Sequence, residues 1–103
     1  MRLALLAEAE SELDDAAAWY DDQRPGLGDE LLVDVRNALD AITETPDTWP
    51  RWPAAPARIP PIRRFVLPRF PDSIAYQLHP ELVVVLAIAH TSRKPFYWIG
   101  RAR

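Results

Sequence analysis

The sequence predicts an α+β fold of two layers. An N-terminal strand is followed by an antiparallel helical hairpin packed on an antiparallel sheet, in the order β-α-α-β-β-β. Three observations carry this reading. Two segments of the first half repeat apolar residues at helical spacing and are joined by a Pro-Gly turn. Three segments of the second half are rich in β-branched and aromatic residues and are joined by short turns. A proline-rich connector separates the two sets. The expected organisation is one domain over residues 1–103. Its hairpin covers about 8–45, its connector 46–61 and its sheet 62–103.

"RLALL" (Arg2–Leu6) is short and apolar and reads as an edge strand. Ala9, Leu13, Ala16, Ala17 and Tyr20 then form one stripe of an amphipathic helix, with Glu8, Ser11, Glu12, Asp15 and Asp22 mostly off it. "RPGLG" (Arg24–Gly28) breaks the pattern. Leu31, Val35, Ala38, Leu39 and Ile42 repeat the spacing in a second helix, which Pro46 stops. Residues 46–61 hold six of the eleven prolines, which excludes an interior helix or a central strand. Trp49 and Trp52 are expected to fold back onto the edge of the core. "IRRFVL" (Ile62–Leu67) and "SIAYQL" (Ser73–Leu78) read as strands around a turn at Pro68–Asp72. In the second, Ile74, Tyr76 and Leu78 share a face. After a reverse turn at His79–Glu81, "LVVVLAIAH" (Leu82–His90) is apolar on both faces, as a covered central strand must be.

The formal net charge of −3 conceals an uneven distribution. Residues 1–45 carry twelve acids and three arginines, whereas residues 46–103 carry three acids and nine bases. The second half is therefore where an anionic partner would be met. A pI of about 5.3 argues against a general nucleic-acid coat. There is no cysteine, so disulfides and thiolate metal sites are excluded. The two histidines lie eleven residues apart with no carboxylate positioned by either, so no metal or cofactor is expected. No apolar run approaches a membrane span, and the N-terminus turns acidic too soon for a secretory signal. The expected location is the cytoplasm.

Chemistry-bearing residues gather toward the C-terminus, in "AIAHTSRKPFYWIGRAR" (Ala87–Arg103). His90 ends the central strand, where it serves either as a packed residue or as a general acid or base. Arg63 and Arg64 are neighbours on a strand and must point to opposite faces. Arg69 lies in the turn after them, and Arg93 follows His90 by three. Guanidinium groups suit carboxylate or phosphate recognition through their planar fork. Phe96, Tyr97 and Trp98, interleaved with Arg93, Lys94, Arg101 and Arg103, suit either base stacking or a protein-binding hot spot. Phosphate-loop, GxSxG, HExxH and dinucleotide fingerprints are all absent.

Taken in order, several of these stretches resemble the ParE/RelE family of toxins from type II toxin–antitoxin modules. They are "EAESELDDAAAWYDDQRPGLGDEL", "IRRFVLPRFPDSIAYQL" and "VVVLAIAHTSRKPFYWIGR", with Pro46 and Trp49 between them. The resemblance implies a helical hairpin on an antiparallel sheet and a cognate antitoxin as partner. It implies one of two activities. ParE-like members poison DNA gyrase, whereas RelE-like members cleave mRNA on the ribosome. Thr91, where an arginine would help a nuclease, and the acidic pI favour the ParE-like branch. On that branch Arg63, Arg64, Arg69, Arg93, Tyr97, Trp98 and Arg101 are the expected partner-binding residues, with no direct DNA binding by the toxin alone. On the RelE-like branch His90, Tyr97, Arg64 and Arg93 would be catalytic, with ribosome and mRNA as partners.

Overall fold

The computed structural model describes residues 1–103. Strand β1 (Arg2–Leu5) leads into helices α1 (Ala7–Gln23) and α2 (Leu27–Glu44), and strands β2 (Ile62–Val66), β3 (Asp72–His79) and β4 (Leu82–His90) follow. A 3-10 turn, Ile99–Arg101, lies near the C-terminus. The strands form one sheet in the order β1-β4-β3-β2. The β2–β3 and β3–β4 pairs are antiparallel, as their short turns require. β1 pairs with β4 in parallel, so the sheet is mixed rather than wholly antiparallel. β1 is joined to no strand by a hairpin, and its chain leaves through α1, so nothing imposes an antiparallel partner.

The hairpin closes tightly. Gly26 turns the chain at φ 90°, a left-handed conformation open to glycine. The Gly28 amide donates to Asp21 Oδ1 at 2.8 Å. A Cβ on Gly28 would collide with the Ala17 carbonyl and with Asp21, so the close approach of the two helices needs this glycine. The helical stripes face the sheet. Ala9, Tyr20, Leu31, Val35, Ala38 and Ile42 join Ile74, Tyr76, Val83, Val85 and Ile88 in the main core. Leu13 and Leu39 pack on its margin and stay partly exposed. Tyr20 donates to Asp72 Oδ1 at 2.7 Å and meets Phe70 edge-on, tying α1 to the start of β3.

The second face of the sheet is covered as well. β4 carries a bulge, since Ala75 pairs with Ala87 but Tyr76 with Val85. The extra residue places both Leu86 and Ala87 on the face away from the helices. There Ile62, Ala75, Leu86, Ala87 and Ala89 pack under Trp98, with Trp52, Phe96, Tyr97, Ile99 and Ala102 around it. The residues after β4 do not extend as a strand. Phe96 adopts a left-handed φ of 60°, and the chain folds back across the sheet. Gln77 holds the end of this tail, accepting from the Arg103 amide at 3.2 Å. The connector shields the outer edge of β2. The Trp52 amide donates to the Ile62 carbonyl at 2.8 Å, and the Arg64 amide to the Pro50 carbonyl at 2.9 Å. Trp49 and Trp52 therefore straddle β2, the first against Phe65 on the helix side and the second against Trp98 on the tail side.

Candidate functional site

The folded-back tail and the end of β4 enclose a recess of about 240 Å³. Arg64, His90, Arg93, Tyr97 and Trp98 all line it, together with Lys94, Ser73 and Trp52. Residues 26 and more positions apart in sequence meet here because β2 and β4 flank β3, and Arg64, Ser73 and Ala89 face the tail side. His90 and Arg93 also border a second cleft of about 450 Å³ along α1, lined by Glu12, Asp15, Trp19 and Asp72. The two residues form the ridge between a basic recess and an acidic cleft.

The cations of the recess rest on rings. The Arg64 guanidinium carbon lies 5.4 Å from the Trp52 ring centre, and that of Arg93 lies 4.1 Å from Tyr97. None of the four ion pairs in the structure involves Arg64, Arg93 or Lys94. Arg64 Nε is the one buried side-chain nitrogen or oxygen without a hydrogen-bond partner. Buried donors are nearly always satisfied, so an unpartnered one is unusual. His90 accepts from the Ser92 amide through Nδ1 at 3.0 Å. In the neutral ring its proton then sits on Nε2.

Tyr97 is held differently. Its hydroxyl donates to Glu12 Oε2 at 2.5 Å. The same carboxylate accepts from Arg101 Nη1 at 3.0 Å and Nη2 at 3.2 Å, and from the Ile88 amide at 3.1 Å. Arg101 Nη1 also donates to the Leu86 carbonyl at 3.0 Å. These groups satisfy the stretch of β4 that runs beyond the end of β1. Burial, then the bond to Glu12 and its charge, raises the Tyr97 pKa well above the ordinary phenol value. Burial opposes the charge of Arg101, but Glu12 outweighs it and the guanidinium is held more firmly protonated.

The remaining sequence-identified residues lie elsewhere. Arg63 points to the helix side and donates to the carbonyls of Asp47 at 3.2 Å and Trp49 at 2.7 Å. Arg69 makes a two-pronged pair with Asp34 at 3.0 and 2.8 Å and reaches Glu30 at 3.4 Å. That pairing with Arg69, foremost through its hydrogen bonds, lowers the Asp34 pKa. Trp98 is 1% exposed and belongs to the core of the tail face. No group of three or more His, Asp or Glu side chains is placed to hold a metal ion. No helix is long and apolar enough to cross a membrane.

Glu12 is the central residue that periodicity passes over. It flanks the apolar stripe of α1, and an acid off the stripe reads as solvent-facing. Its spacings of three from Ala9 and four from Ala16 are the signs that it borders the packed side.

No protein-family model matches the chain, and no curated protein matches it by sequence. Among solved structures it is similar to a chain of the chromosomal ParDE TA system from P. aeruginosa, with a TM-score of 0.73 and 19% sequence identity. The alignment covers 87% of this chain and 95% of that one. At that TM-score and coverage, this chain has the fold of that ParDE-system chain.

Proposed function

We propose that the chain is the toxin of a type II toxin–antitoxin module, neutralised by a cognate antitoxin, and that it inhibits DNA gyrase in the manner of ParE-like toxins. The shared fold with a chain of a ParDE TA system supports the first part. The second rests on one observation: the Tyr97 hydroxyl is committed to Glu12, a residue that lines the cleft along α1 and not the recess. A nuclease would need a proton donor and an acceptor at the scissile phosphate. Here His90 has no such companion, because the phenol is engaged in a part-buried bond.

Recognition asks less of the same residues. Arg64, Arg93 and Lys94 are cations without an ion-pair partner in the fold, set among half-buried aromatic rings. Acidic side chains of an antitoxin segment that folds on binding would pair with them. Arg63, Arg69 and Arg101 contribute less, since each already has partners in the fold. The convergence of Arg64, His90, Arg93 and Tyr97 in one recess favours the second reading, a ribosome-dependent mRNA endoribonuclease.

The test is expression of the chain alone and with the product of an adjacent small gene, followed by assay of the purified protein. Expected are growth arrest relieved by the partner, a stable complex, inhibited gyrase supercoiling and intact mRNA in a translating extract. Cleaved mRNA with unaffected supercoiling would replace gyrase inhibition by the nuclease reading. Unchanged growth on expression alone would remove the toxin assignment.

A further inference from the structure

We propose that Glu12 is the positioning residue of the basic recess: through the Tyr97 hydroxyl it fixes the ring on which Arg93 rests, and so sets where that guanidinium stands. The proposal rests on the toxin reading only for its growth assay.

Arg93 is exposed and takes part in no ion pair. Its backbone is set by the turn after β4, where its amide donates to the His90 carbonyl at 3.0 Å. That leaves the long side chain free to swing, and its observed seat is the Tyr97 ring at 4.1 Å. That ring is the aromatic face its guanidinium meets, so what holds Tyr97 bears on where Arg93 stands. Tyr97 belongs to the folded-back tail, which is not part of the sheet ladder. Its one side-chain hydrogen bond goes to Glu12 at 2.5 Å.

Glu12 is suited to this task because its other bonds anchor it. The Ile88 amide and both Arg101 nitrogens occupy its oxygens, and its side chain is 14% exposed. The chain of contact therefore runs from a helix residue through a phenol to a cation shared by the recess and the cleft. A carboxylate that served only to clamp the tail would need Arg101 alone. The phenol bond adds a definite ring orientation, and a cation seated on a ring face needs one.

Glu12→Ala, Glu12→Gln, Tyr97→Phe and Arg101→Ala separate positioning from clamping. The first readout is the ring-current shift of the Arg93 side-chain protons by NMR. Native protein and Glu12→Gln should keep it, since an amide still bonds the phenol, and Arg101→Ala should keep most of it, since the Ile88 amide still anchors Glu12. Glu12→Ala should lose it, and Tyr97→Phe, which cuts the link from the other end, should lose part of it. The second readout is growth arrest, which should weaken in Glu12→Ala and be restored by Glu12→Gln. Equal loss of the shift in Arg101→Ala and Glu12→Ala would reduce Glu12 to a tail clamp and overturn the proposal. A full shift in Tyr97→Phe would overturn it too, and that variant decides the matter if Glu12→Ala does not fold. If native protein fails to arrest growth, the toxin reading falls, while the NMR shift still decides the role of Glu12.

Discussion

The two faces of the sheet are covered by different means. On the helix side a continuous cluster of thirteen buried residues does the work, with Tyr20 bonded to Asp72 at its edge. On the tail side six buried residues suffice, and the cover is pinned by polar groups: Glu12, Tyr97, Arg101 and Gln77. Apolar burial is non-directional and tolerates small shifts, so it suits a face that needs only to be stable. Hydrogen-bonded carboxylates and guanidiniums impose direction, so they suit a face whose side chains must stand in fixed places. The recess cations Arg64, Arg93 and Lys94 lie on the tail side.

The contrast is sharpest in stability. Leu31 is 0% exposed at the centre of the helix face. Leu31→Ala should cost ~2–5 kcal/mol in urea unfolding. A loss under ~1 kcal/mol would mean that the helical stripe is not the main core. On the tail face Arg101→Ala removes a charge-assisted pair and should cost less, ~1.5–3 kcal/mol. It should also raise hydrogen exchange in residues 99–103 while α2 stays protected. Uniform loss of protection would show that the two faces unfold as one unit.

Alkaline pH tests both faces together. All three tyrosines are held above the ordinary phenol value, with burial the leading cause at each. Tyr76, which donates to the Pro46 carbonyl, is pushed up to about 12. A raised pKa means that the fold favours the protonated phenol. This contribution is complete below the unfolded value of ~10 and is lost as pH rises through the folded value. Phenolate absorbance should therefore appear only with loss of circular dichroism. A tyrosine titrating near ~10 in folded protein would contradict the burial described here.

The smallest effect is expected at Arg69, an exposed residue. Arg69→Ala should shift the unfolding midpoint little, and less still in high salt. Because Asp34 has a lowered pKa, its contribution is present above the unfolded carboxylate value of ~3.9 and vanishes as pH falls below it. A large, salt-independent loss at neutral pH would give this turn a structural weight that its exposure denies.

The helix face was legible in the sequence and the tail face was not, for a physical reason. The stripe Leu31, Val35, Ala38 and Ile42 repeats at the helical period, and the two helices face one sheet, so periodicity reports burial directly. Arg63 and Arg64 likewise follow the alternation of a strand, one to each side. The tail obeys neither period. It is reversed by Phe96 in a left-handed conformation and fastened by bonds to a residue 85 and 89 positions away. Strand alternation would place Tyr97 opposite Phe96 and Trp98, yet all three belong to one side of the sheet. The parallel pairing of β1 is equally non-local, since a helical hairpin and two strands intervene before β4. The recess residues could be named one by one, but their meeting depends on this reversal.

On the function proposed here, the tail face recognises a partner and does not transfer protons. The direct measurement is growth arrest by the chain carrying both His90→Gln and Tyr97→Phe, with mRNA integrity followed in the same cells. Glutamine keeps hydrogen-bonding capacity without titration near neutrality, and phenylalanine keeps the ring without the hydroxyl. Arrest should persist in the double variant, weakened only as far as the freed Tyr97 ring lets Arg93 shift, and mRNA should stay whole with native and variant chains alike, while Arg93→Glu relieves the arrest. If the native chain cuts mRNA and the double variant cuts it ~10²–10⁴-fold more slowly, the recess is a nuclease site and the claim is wrong.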